Sequence, residues 1–79
     1  MTMTTFWTLD QMLPGQRAIV LQVGGRGAFR HRAQRMGLVS GATIEMIGTA
    51  PQGDPLLFLI GGHEVSLRRA EARVIVIEL

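Results

Sequence analysis

Turn-forming residues interrupt this chain so often that no segment can serve as a helix crossing between parallel strands. Leu13-Pro14-Gly15-Gln16 is a turn, with proline setting φ at its second position and glycine accepting positive φ at its third. Breaks follow at Gly24, Gly25 and Gly27, at Gly37, at Ser40-Gly41, in the APQGDP loop and at Gly61-Gly62. Between them RAIVLQV, ATIEMIG, LLFLI, HEVSL and ARVIVIEL read as short strands, rich in β-branched and apolar residues. The two-glycine link between LLFLI and HEVSL suits the primed turns that join antiparallel neighbours. Strands are predicted near residues 16–23, 43–49, 55–60, 63–67 and 73–78. The fold class is mainly β: a small antiparallel barrel of about five strands with one short α-helix.

The helix falls at residues 28–36. At 100° per residue Phe29, Ala33 and Met36 share one face, while Arg30, His31, Gln34 and Arg35 point away. Gly37 is placed as a left-handed cap, with Leu38 folding back onto the last turn. Two turns are too few to stand alone, so packing of Phe29 and Met36 must hold them.

Residues 1–79 make a single domain, with residues 1–8 expected as a loosely ordered N-terminal extension. The start, MTMTTFWTLDQM, lacks the basic lead and apolar run of a secretory signal. LLFLI, the longest apolar run, is far below the ~18 residues of a membrane helix, so a soluble, cytoplasmic chain is expected.

Charge is informative in its placement. No acid occurs between Gln11 and Ile44, a span that holds Arg17, Arg26, Arg30, Arg32 and Arg35. Arg68, Arg69 and Arg73 form a second basic group, diluted by Glu64 and Glu71. All eight basic residues are arginine. Arginine-rich codon usage accounts for the absence of lysine but not for the clustering. The forked guanidinium suits carboxylate or phosphate.

Several chemistries are weighed against that background. Gly25-Arg26-Gly27 after a strand, with Glu45 twenty residues on, invites a dinucleotide reading. It fails because the helix ends at Gly37 and Arg30 fills the position that needs a small residue. The glycines are a turn, and neither NAD nor GTP binding is expected. Nucleic acid is the stronger rival, since arginines on a helix could track phosphates. Against it, the few aromatics do not sit exposed beside the charge. No nucleic-acid partner is expected.

With cysteine absent, cysteine-bound zinc and thiolate nucleophiles are excluded. His31 and His63 have no ligand spacing, and His63 shares strand parity with Val65 and Leu67, as a cap on the core would. No metal site is expected within one chain. Two chains pooling His31 and His63 could trap zinc, and an oligomer is compatible with the sequence. The acids are scattered and nothing positions a triad, so no catalytic residue and no cofactor are assigned.

The ordered set of motifs says more. Arg32, Met36, Gly37, Leu38 and Gly41 form an R-x₃-MGL-x-x-G segment; Pro51, Gly53, Asp54 and Pro55 a P-x-GDP loop; Leu67, Arg68, Glu71 and Ala72 an LR-x-x-EA segment. In this order they resemble the FeoA family along nearly the whole chain from Leu9. Ser40 departs from the family, which usually has proline before Gly41. The resemblance implies an SH3-like barrel and a non-enzymatic, cytosolic accessory protein of bacterial ferrous iron uptake. It implies as partner FeoB, the membrane transporter with a cytosolic GTP-binding domain. Related barrels in iron-dependent repressors keep a repressor-like, nucleic-acid-binding role as the alternative. The family supplies no catalytic residues. From the residues themselves, Arg30, His31, Gln34 and Arg35, with Arg68 and Arg69, are the candidate partner-binding set.

Overall fold

A computed structural model describes residues 6–79. Six strands form one antiparallel sheet: β1 (Trp7–Thr8), β2 (Arg17–Val23), β3 (Thr43–Thr49), β4 (Leu56–Ile60), β5 (His63–Leu67) and β6 (Ile75–Glu78). Their order across the sheet is β1-β6-β2-β3-β4-β5. Helix α1 (Ala28–Arg35) joins β2 to β3, and the single-turn helix α2 (Arg69–Ala72) joins β5 to β6. The mainly β architecture agrees with the sequence reading, and the five expected strands and the helix lie within two residues of their expected bounds.

Alternation sets the core. In β4, Leu56, Phe58 and Ile60 point inward, and Phe58 sits in register between Met46 of β3 and Val65 of β5. Across the sheet Val20 of β2 opposes Ile77 of β6, and both are fully buried. The pairing shifts between Val20 and Gln22 and again between Met46 and Gly48. Leu21 and Ile47 are therefore the extra residues of two bulges, which bend their strands and let a small sheet curl around its own core. Among the described residues no polar or charged side chain is buried, so the chemistry of this molecule lies on its surface.

Three elements are additional to the sequence reading: β1, a single 3₁₀ turn at Leu9–Gln11, and α2. Trp7 and Thr8 pair with Ile77 and Val76, which adds an edge strand within the segment expected to be loosely ordered; residues 1–5 lie outside the described residues. Residues 73 and 74, expected in the last strand, instead follow a helical turn that closes at Arg73, so β6 begins only at Ile75. That turn is held by one carboxylate outside it and one within it. Asp54 Oδ1 accepts the Arg69 N–H at 3.0 Å, and Glu71 Oε1 accepts the Arg68 N–H at 2.9 Å. Each carboxylate satisfies a donor that a helix start leaves without an intrahelical partner.

Candidate partner-docking surface

The approach to α1 explains the glycines before it. Gly24 donates its N–H to the Val74 carbonyl at 2.7 Å, and a Cβ on Gly24 would lie 2.8 Å from that oxygen. A Cβ on Gly25 would lie 2.7 Å from the Phe29 ring. These glycines let β2 exit against the start of β6 and let Phe29 fold down onto the core. Their role is steric, in agreement with a turn.

At the other end α1 closes as the sequence predicts. The Leu38 N–H donates to the Ala33 carbonyl at 2.9 Å and the Gly37 N–H to the Gln34 carbonyl at 3.1 Å, the paired bonds of a Schellman motif. Leu38 is then buried at 1% exposure, and Ala33, Phe29 and Met36 face the core beside it.

The remaining sides of α1 point three ways. Arg32 turns toward α2, where its guanidinium pairs with Glu71 and lies 5.6 Å from the Phe29 ring centre. Arg30 and Gln34 turn toward the end of β2 and wall a cleft of about 300 Å³ with Leu21, Val23, Val39 and Ser40. Arg35 turns toward the β4–β5 turn and lines a second groove, of about 420 Å³, with Met36, Ile60, Gly61 and His63. His31 is exposed on the outer side between them. The outward set read from the helical wheel is therefore divided: Arg30 and Gln34 belong to one hollow and Arg35 to another.

Ion pairing separates the arginines. Arg17 donates to Glu45 at 2.9 Å, Arg68 approaches Asp54 at 3.8 Å and Arg73 approaches Asp10 at 3.9 Å, besides the Arg32–Glu71 pair. Arg69 donates through Nε to the Gly53 carbonyl at 2.8 Å. Arg68 and Arg69 thus clasp the P-x-GDP loop. Among the described residues Arg26, Arg30 and Arg35 have no acid in reach.

His63 is exposed, so parity with Val65 and Leu67 does not bury it at the end of the hairpin. It faces the Arg35 groove, while His31 lines neither hollow. Among the described residues no three His, Cys, Asp or Glu side chains stand close enough to hold a metal. The sequence reading did not single out Val39, a large apolar residue left 46% exposed beside Arg30. Its signal was its place between the buried Leu38 and the turn at Ser40-Gly41, where a polar residue is the norm.

Comparison with known proteins agrees with this architecture. The FeoA domain family matches residues 7–79. A fusion protein of Fe(2+) transport protein A and the Fe(2+) transporter FeoB, from Porphyromonas gingivalis, is 42% identical over 71 residues. That match takes in 90% of this chain and 8% of the relative's length. The solution structure of FeoA from Chlorobium tepidum superposes with a TM-score of 0.87 at 34% identity, over 92% of this chain and 70% of that one. The Stenotrophomonas maltophilia FeoA structure, complexed with zinc and described as a prokaryotic SH3 domain protein, gives a TM-score of 0.80 at 29% identity. It covers 91% of this chain and 89% of its own. With the Arg32–Glu71 pair, the Met36-Gly37-Leu38 helix end and the Asp54 cap all in place, and the family matched from β1 to the last residue, this chain is an SH3-like domain that belongs to the FeoA family.

Proposed function

We propose that this chain is a non-enzymatic, cytoplasmic accessory module of ferrous iron uptake that acts by docking on the cytosolic portion of an FeoB-type transporter. The observation that carries the reading is the outward side of α1. Among the described residues Arg30 and Arg35 stand there without an acid, as does Arg26 on the loop that leads in, and the helix is fixed at its end by the Schellman bonds and at its side by Arg32 and Glu71. An unpaired guanidinium on a rigid support suits a carboxylate on another protein, because forked, charge-assisted bonds form there with little further ordering. His31 and Gln34 extend the same surface. The choice of partner is supported by the Porphyromonas gingivalis relative, in which the corresponding domain and the transporter share one chain. Domains joined in one chain meet at high effective concentration, and such fusions suit pairs that act together.

Binding of the chain to an immobilised cytosolic portion of the transporter, with and without its guanine nucleotide, tests the proposal. The Arg30→Glu, Arg35→Glu double reversal should remain folded, lose binding at least tenfold, and fail to support Fe(II) uptake in cells lacking the wild-type gene. Absence of binding by the unaltered chain in either nucleotide condition would overturn the reading.

A further inference from the structure

We infer that the hollow between α1, the end of β2 and the turn at Val39 and Ser40 is the peptide-binding site of this surface. Its ligand is an extended acidic segment of the partner, which sets a carboxylate on Arg30 and a neighbouring apolar side chain on Val39. The inference rests on the docking reading above and specifies which residues of the surface recognise what.

Charge points to the ligand's sign. None of the residues lining the hollow is acidic, and no acid occurs in the sequence between Gln11 and Ile44. Glu45 and Glu71 are engaged, with Arg17 and Arg32, and Glu78, opposite Ile19, lines a different hollow with Ile19 and Thr43. Gln34 lies one helical turn beyond Arg30 on the same side, so an amide and a guanidinium converge on one point. Together they offer donors for both oxygens of a carboxylate.

Apolar surface points to a protein segment over a nucleic acid. Leu21, Val23 and Val39 share the hollow with Arg30, and Val39 is 46% exposed. No aromatic ring lines it for a base to stack on. A single unpaired arginine beside aliphatic side chains matches an acidic residue flanked by an apolar one. The volume of about 300 Å³ takes one or two side chains, as an extended strand or loop presents them.

The walls are also fixed. Leu21 is the extra residue of the β2 bulge, and its carbonyl accepts the Ser40 hydroxyl at 3.0 Å. Gly41 donates to the Val20 carbonyl at 2.7 Å just beyond. The turn that carries Val39 is thereby tied to β2 on one side, while the Leu38–Ala33 bond ties it to α1 on the other. A hollow with its walls bonded in place loses little freedom when it binds.

The chain has no cysteine, so a single introduced one can carry a unique label. The full chain is made as Val39→Cys and, as control, as Gln52→Cys in the exposed P-x-GDP loop, each with and without a bulky maleimide. Arg30→Gln and, as the control for loss of one charge, Arg17→Gln on β2 complete the set, and each protein is titrated against the immobilised cytosolic portion of the transporter and, separately, against random duplex DNA. Labelling at Val39 should weaken binding to the transporter more than tenfold, and Arg30→Gln about tenfold, while labelled Gln52→Cys and Arg17→Gln stay within about twofold of the unaltered chain. Loss on labelling Gln52, or binding left unchanged by Arg30→Gln, would place docking elsewhere than this hollow; it would overturn this inference and leave the docking reading standing. Failure of the unaltered chain to bind the transporter would overturn both. Binding to DNA that Arg30→Gln and the Val39 label abolish, without binding to the transporter, would assign the hollow to phosphate and overturn the peptide assignment.

Discussion

Glu71 accepts donors from two distant parts of the chain, the Arg32 guanidinium on α1 and the Arg68 N–H that starts α2. The two roles separate by substitution. Glu71→Gln keeps an oxygen for the Arg68 N–H and removes the charge, while Glu71→Ala removes both. The pair is partly exposed, so solvent screens it, and the glutamine variant should lose under about 1 kcal/mol. The alanine variant should lose about 1–2 kcal/mol, because an N-terminal donor is left without its acceptor as well. Urea denaturation at low and at 1 M salt checks the division, since only the charge component should shrink with salt. Gly25 offers a second test. A methyl there meets the Phe29 ring, at a φ of +88° that other residues rarely adopt. Gly25→Ala should therefore cost about 1–3 kcal/mol. If the glycine is steric, millimolar NAD or GTP should leave the melting temperature of the wild-type chain unchanged. At this scale the sequence was highly readable for stability and poorly readable for binding. Arg32, Gly37, Asp54 and Glu71, which carry the family resemblance, all hold the fold together, so the motifs could not point to the docking face.

Helix α1 is where local pattern and tertiary structure agree best. Its core face, its Gly37 end and its basic last turn follow from residues 28–38 alone, and they are observed as read. Helix α2 and strand β1 were not read because each also depends on a partner distant in sequence. One turn of helix forms at Arg69–Ala72 because Asp54, fifteen residues earlier, accepts a donor at its start. A two-residue strand forms at Trp7–Thr8 because β6, at the far end of the chain, offers an edge. The distinction yields a prediction for α1. Leu38→Ala removes a fully packed side chain that also anchors the helix end, and should destabilise the domain by about 2–5 kcal/mol in denaturant titration. The Arg30→Glu, Arg35→Glu reversal should leave stability within about 0.5 kcal/mol of the wild type. It places one acid in the first turn, where the helix dipole favours it, and one in the last, where the dipole opposes it. The two contributions have opposite sign, which makes the reversal a clean probe of docking.

For the whole molecule, the internal ion pairs decide where the net charge of +2 is displayed. Asp10, Glu45, Asp54 and Glu71 each stand against an arginine, which leaves Glu64 and Glu78, on β5 and β6, unpaired among the described residues. Among the described residues the arginines with no acid in reach and no carbonyl to hold are Arg26, Arg30 and Arg35, all on α1 or the loop that leads to it. A mildly basic chain is thus strongly one-sided. The sequence disclosed the clustering of arginine but not this sorting, because the neutralising acids reach their partners only through the fold. One-sided charge acts on encounter before contact, since a positive face orients the molecule toward an acidic partner over distances comparable to the Debye length, ~8 Å at physiological salt. The association rate with the cytosolic portion of the transporter, measured by surface plasmon resonance, should therefore fall by about tenfold between 50 and 500 mM salt, with the dissociation rate changing far less. In the double reversal the association rate should be lowest at 50 mM salt and recover as salt rises, because the reversed face repels the same acidic surface. The defect relative to wild type is then greatest at low salt. A wild-type association rate independent of salt would mean that the arginine face does not guide docking.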